Sequence, residues 1–334
     1  MRRVIWVFVV LALGWSGWWV WAAARTEDRV ADWFEARRAE GWQADYSAFE
    51  ITGFPLSFEA EVQLPALADP QTGVAVTASA LRVAAPAWWP GDLTLMLPPD
   101  DIVFASPVGR TTLVVTEGIG ALSLRPGTDL ALAHLTLDAR SWVLGAQSGD
   151  LLLGDSLSAR FALLQNTPDR YVLSADAAGF RPGPVLRTQL RIPDDWPLSF
   201  ERFGLAMQVT FDRPWDRRAV EVARPQPRQI QLDLAEVVWG QLSLRAAADL
   251  EIDASGIASG TVSMQARNWR EMLTLAGAAG VLPEAVAPQA ETVLAALARA
   301  TGDPTSIDVT LTVRDGLVLL GFVPLARLPP LILR

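Results

Sequence analysis

Cysteine is absent from the 334 residues, which excludes thiolate metal ligands, thiol nucleophiles, iron–sulfur ligation and disulfides. Lysine is absent as well. All 28 basic residues are Arg, so Schiff-base chemistry and the phosphate-loop and kinase lysines are removed. The single histidine, His134, leaves no multi-His metal cage. Charge is scarce at 19% against 51% hydrophobic residues, a balance that excludes disorder, and the 24 Gly and 23 Pro are spread along the chain rather than gathered in a linker or collagen-like tract. With 37 acidic residues the formal net charge is −9, so nucleic acid is not expected as a partner.

Against this scarcity stands one long apolar run. Residues 4–24 read VIWVFVVLALGWSGWWVWAAA, without a charge. At 1.5 Å per residue they just cross a hydrocarbon core of about 30 Å. Residues 1–25 are therefore read as a transmembrane anchor. The rival reading is a cleaved signal peptide, because Arg2 and Arg3 give a basic start and Ala22-Ala23-Ala24 fits a small-residue cleavage site. The length of the run and the interface-seeking rings of Trp18, Trp19 and Trp21 favour the anchor. The expected placement is a single pass through the inner membrane, amino end in the cytoplasm and bulk in the periplasm. Residues 26–48 follow as an amphipathic connecting helix, with Thr26 as its cap and Val30, Trp33 and Phe34 on one face.

Beyond Gly53-Phe54-Pro55 the pattern changes to a period of two. Leu56, Phe58, Ala60, Val62 and Leu64 alternate with polar residues, as do Phe203, Leu205, Met207, Val209 and Phe211, then 242–252 and 307–313. Weaker runs bounded by Gly, Pro and Asp bring the expected strands to well over ten. Helices are expected only near 269–279, after an Asn268 cap, and near 288–301, with Val293, Leu294 and Leu297 aligned. The predicted fold is mainly β: an N-terminal transmembrane helix, then a long, curved, mostly antiparallel sheet, as an open groove or a sandwich, with a C-terminal helix pair. An N-terminal β half is placed at 49–190 and a C-terminal β half at 191–334, with a Pro-rich seam over 181–197. The Pro-containing tail, 323–334, is expected to lie extended on the body.

Two helices cannot roof so many one-sided strands. The dry faces must pack on one another or line an apolar trough. The face of Phe203, Leu205, Met207, Val209 and Phe211 is the candidate lipid contact. Trp18, Trp19, Trp21 and the loop pair Trp88 and Trp89 are candidate membrane or lipid contacts. Arg213, Arg217 and Arg218, in DRPWDRR, are candidate headgroup contacts, although salt bridges with Asp212 and Asp216 explain the cluster more economically. His134 lacks an identifiable nucleophile. The pairs Asp100-Asp101 and Asp194-Asp195 sit beside prolines as turn residues. No catalytic, metal or cofactor residue is identified.

Longer strings carry a resemblance. VVWGQLSL at 237–244, ADLEID at 248–253, NWREML at 268–273, GAAGVLPEAVAP at 277–288 and VRDGLVLLGFVPL at 313–325 are similar to the bacterial family called domain of unknown function 2125. The anchor followed by Gly53-Phe54-Pro55 and Phe58 extends the likeness over nearly the whole chain. More loosely, the strand, Asp-Ala-Ser-Gly, strand form of 250–265 resembles AsmA-like envelope proteins, which implies long curved sheets that handle lipid between membranes. AsmA-like proteins are usually longer than this chain. Neither family implies catalytic residues. The sequence thus points to an anchored, non-catalytic envelope protein that offers an apolar groove to lipid or to a lipid-bearing partner. The alternatives are a scaffold that binds another envelope protein through sheet edges and, third, an anchored hydrolase.

Overall fold

The computed structural model describes residues 2–278, 280 and 287–333. The chain divides into two units, one of Met1–Ser123 with Val143–Gln147, the other of Leu124–Trp142 with Ser148–Arg334.

In the first unit, helix α1 (Arg2–Ala39) is continuous. Thr26 does not cap a second helix. Its hydroxyl donates to the Ala22 carbonyl 2.9 Å away, the bond a threonine makes inside a helix, so the apolar run and the segment after it form one rod. The rod stops at Ala39 rather than 48, because Gly41 takes a φ of 91° and residues 43–45 already form a strand. Nine strands follow: β1 (Gln43–Asp45), β2 (Ala48–Thr52), β3 (Ser57–Gln63), β4 (Ala66–Asp69), β5 (Val74–Thr77), β6 (Ala80–Pro86), β7 (Asp92–Leu97), β8 (Ile102–Ser106) and β9 (Gly109–Leu124).

Their registers show that these are five long strands, four of them broken midway. Ala48 faces Gln63 as Gln43 faces Ala68, Ser57 faces Pro86 as Ala66 faces Thr77, and Asp92 faces Ser123 as Ile102 faces Leu113. The pairs β1 with β2, β4 with β3, β5 with β6 and β8 with β7 each continue one line in an antiparallel meander that ends on β9. The breaks fall side by side. Pro65, Pro98 and Pro99 stand in them and cannot donate to a ladder, while Leu64 takes a φ of 48°.

Helix α1 lies along the first line of this meander. Phe34 is buried against Tyr46, and Arg38 donates to the Ala44 carbonyl at 2.6 Å. At the other end, the Trp15 and Trp19 indoles donate to the carbonyls of Pro55 (2.9 Å) and Ser57 (3.0 Å). The helix between Trp19 and Phe34 covers about 22 Å. The antiparallel chain from Tyr46 to Phe54 covers about 26 Å, so the two match in length.

β10 (Leu132–Ala146) has residues in both units. The second unit continues with β11 (Gly149–Leu163), β12 (Arg170–Ala178), β13 (Arg181–Pro182), α2 (Pro184–Gln189), β14 (Arg202–Phe211), α3 (Arg218–Glu221), β15 (Pro227–Trp239), β16 (Leu242–Ile252), β17 (Ala258–Arg267), α4 (Trp269–Ala278), α5 (Ala287–Thr301), β18 (Ser306–Arg314), β19 (Leu317–Leu320) and β20 (Val323–Arg327). Strands β11, β12, β14, β15, β16, β17, β18, β19 and β20 pair antiparallel in that order. The stretch 181–197, read from the sequence as a seam, lies inside this unit as β13, α2 and a turn held by Arg187, which donates to the carbonyls of Pro193 and Pro197. Ala279, part of the helix expected over 269–279, and residues 281–286 lie outside the described residues.

Asn268 precedes α4 but does not cap it with its side chain. Its amide donates to the Gln241 carbonyl at 2.6 Å, and its own carbonyl receives the N–H groups of Glu271 at 3.0 Å and Met272 at 3.3 Å. On α5, Leu294, Leu297 and Ala298 face Ile307 and Trp269, whereas Val293 points outward, one position off that stripe. The tail is extended, as the prolines require: β20 pairs with β19, and Leu331 donates to the Gly256 carbonyl at 2.8 Å.

Candidate functional site

The alternation of residues 203–211 has a structural counterpart that crosses seven strands of the second unit, β11 to β18. Registers align Phe161, Leu173, Met207, Leu232, Ala248, Val262 and Leu311 in one row, and Ala159, Ala175, Leu205, Ala235, Ala246, Met264 and Val309 in the next. Seven strands at about 4.8 Å spacing make each row about 29 Å long. The opposite face is polar: Arg170 bonds Thr210 and Gln229, Gln208 and Gln231 bond Asp233, and Gln229 bonds Asp249.

The dry face is closed at both ends and half-open between them. At one end Tyr171 is 0% exposed and stacks on Phe161 at 4.7 Å, with Phe211 and Trp215 edge-on nearby. Its hydroxyl accepts from the Trp215 N–H at 3.2 Å, and burial pushes the phenol pKa up. Leu250, Ile252, Ala258 and Val313 continue this end under Leu328 and Leu331 of the tail. At the other end α4 and α5 cover Ile307, and Trp239 stacks on Phe200. Between these ends, Leu311 alone in the two middle rows is buried, and the other thirteen side chains are half-buried. Of the predicted lipid face, then, Val209 and Phe211 belong to the closed end, Leu205 and Met207 to the half-open middle, and Phe203 packs on Phe180 and Phe200 with 40% of its surface left exposed.

The predicted headgroup arginines sit beside the closed end with partners. Arg213 pairs with Asp212 at 3.2 Å, which also takes the Gln226 N–H and faces Arg228 at 3.6 Å. Burial pushes the Asp212 carboxyl up, but the Gln226 N–H and the two guanidinium groups more than offset it and hold the pKa below the usual range. Arg218 pairs with Asp216 at 2.6 Å, and its hydrogen bond keeps that buried carboxyl low. Arg217 donates its backbone N–H to the Asp129 carbonyl. The same logic recurs on β15 and was missed from the sequence: buried Glu236 lies between Arg245 at 2.6 Å and Arg202 at 3.3 Å and is held low chiefly by the Arg245 bond. Its signal was cross-strand, since Glu236 faces Arg245 in the β15 and β16 register.

The predicted aromatic contacts fall in the first unit. Trp19 is buried and stacked on Phe58 at 5.2 Å, Trp18 rests between Trp15 and Phe58, and Trp21 faces outward beneath the Arg25 guanidinium. Trp88 is 67% exposed, whereas Trp89 folds back over Gly91, whose missing side chain makes room for the indole. The sequence reads Phe54 as part of a turn and Leu56 as the first residue of a dry strand face; β3 begins only at Ser57, and both residues stand on the β2–β3 turn with 54% and 64% of their surface exposed. His134 is half-buried on β10, and Asp100, Asp101, Asp194 and Asp195 are exposed. Among the described residues no group of three or more His, Asp or Glu is placed to hold a metal ion.

Helix α1 is, among the described residues, the one helix long and apolar enough to cross a membrane, with a mean hydropathy of 1.6 in its most apolar window. No curated protein and no solved structure matches the chain. The model of the family described as "Uncharacterized protein conserved in bacteria", domain of unknown function 2125, matches residues 19–329, from within α1 through the meander and the half-roofed strands, nearly the whole chain, and the chain belongs to that family.

Proposed function

We propose that this protein is a single-pass component of the bacterial inner membrane whose β-rich body, on the periplasmic side, receives an acyl chain or a lipid-bearing partner on the half-open strand face of its second unit, without catalysis. The observation that carries the reading is the pair of middle rows: an uninterrupted apolar strip across seven strands, bordered along both long sides by closed packing, with thirteen of its fourteen side chains still half-buried rather than interlocked. One leaflet of a bilayer core is about 15 Å deep, so a strip of about 29 Å accommodates an extended acyl chain along its length. Asp212 and Asp216, the acids a hydrolase would need, are committed to arginine pairs, which supports a binding role.

A photoactivatable phospholipid supplied to cells making the full chain tests this. Crosslinks are expected on peptides of β14 and β15, and Met207→Glu should abolish them while crosslinks to α1 persist. Crosslinks confined to α1 would sink the groove and favour a scaffold that engages a protein partner.

A further inference from the structure

The apolar run that the anchor needs is longer than the part of α1 that stands free. From Ile5 to Leu13 the large side chains point outward, but from Trp15 onward the helix is held to the β2–β3 turn by the Trp15 and Trp19 hydrogen bonds and by Trp19 packed between Phe54 and Phe58. The free stretch, residues 5–14, is about 15 Å long, half of a hydrocarbon core. Placing the whole uncharged run in a bilayer therefore carries the turn in with it.

The turn is built for that environment. Phe54 and Leu56 expose their side chains, and the carbonyls of Gly53, Pro55, Leu56 and Ser57 are satisfied by Leu56 and Ser57 N–H, Trp15, Ala87 N–H and Trp19 respectively, which removes the main cost of irregular backbone in lipid. The first charges agree on a water line. Arg25 lies about 9 Å along the helix from Trp19. Glu59 lies about 7 Å along β3 from Ser57, the residue Trp19 holds. On the neighbouring β6–β7 loop Trp88 is also exposed, but Asp92 follows it closely, so that loop stays shallower.

We propose that the β2–β3 turn, with Phe54 and Leu56, is embedded in the lipid bilayer against the anchor helix, and that the Trp88 ring rests at the interface beside it. This rests on the reading of α1 as a membrane-spanning anchor.

Because the chain has no cysteine, single labels are clean. An environment-sensitive nitrobenzoxadiazole probe is attached to Val10→Cys, Leu56→Cys, Trp88→Cys or Val108→Cys in the full chain, reconstituted in phosphatidylcholine and phosphatidylglycerol vesicles with nitroxide on the acyl chains. Val108, 97% exposed on the β8–β9 turn at the far end of the meander, is the aqueous control. The probe at positions 10 and 56 should lose most of its emission, at 88 less, and at 108 none. Quenching at 10 but not at 56 overturns the embedded turn and leaves the anchor standing, while no quenching at 10 overturns the anchor and the turn with it. Should Leu56→Cys fail to fold by circular dichroism, Phe54→Cys gives the same reading.

Discussion

Within the second unit, the closed end and the half-open middle of the apolar strand face share one sequence pattern and differ in what lies above them. Val209 and Phe211 are buried because Tyr171, Phe161 and Trp215 converge on them, whereas Met207 and Leu205, one and two steps along the same strand face, remain partly in contact with solvent. Alternation decides which side of a strand is dry; it does not decide whether a roof exists. The aromatic residues are concentrated where the roof is, and apart from Phe161, at the β11 edge beside Tyr171, the middle rows are filled with Ala, Leu, Val and Met, which leave room above them.

The sharpest way to test this contrast is to remove the roofing rings. Tyr171→Ala or Phe211→Ala should destabilise the protein by about 3–5 kcal/mol in urea titrations, the cost of a large cavity among fully buried side chains. Met207→Ala, in the half-open middle, should cost about 1–2 kcal/mol, since much of its surface is already wet. Equal losses at both positions would erase the distinction between the two regions. Next in size is Asp216→Ala, which removes the acceptor for the Arg218 N–H at the start of α3 and should cost about 1 kcal/mol.

The same carboxylates give a pH signature. Asp216 and Glu236 are held below their ordinary values, so the stability they lend is present above the unfolded carboxylate values of about 4 and is lost as pH falls through the lower folded ones. The denaturation midpoint should therefore drop below about pH 4, and Glu236→Gln should flatten that drop. The smallest effect is expected at the exposed ring of Trp88: Trp88→Ser should change stability by less than about 0.5 kcal/mol in solution. A larger change would mean that the ring packs on the body and is not displayed.

Strands β14, β16 and β18 were legible because their alternation is strict and local, and α4 and α5 because few other segments have helical period. The continuity of α1 through Thr26 was not, since a threonine serves equally as a cap or as a back-bonded helix residue and only the neighbours settle which. The aligned breaks of the meander depend on registers between strands, which single-strand patterns do not encode. Of the site, the dry face of 203–211 was readable, but its division into roofed and unroofed parts was not, because the covering residues Tyr171, Trp215 and Leu331 come from distant positions. Trp88 and Trp89 look equivalent as letters, and only the space over Gly91 separates them.

The roof over Leu250 and Val313 has a fastening of its own. Gln226 takes the Leu333 N–H on its amide oxygen and gives its own amide hydrogen to the Leu333 carbonyl, each at 2.9 Å. One side chain thus imitates the edge of a neighbouring strand, a latch that works because a carboxamide carries a donor and an acceptor side by side. Glutamate is nearly the same size but at neutral pH offers no donor, so converting this one amide to an acid, whether by design or by slow hydrolysis, would leave the latch half undone.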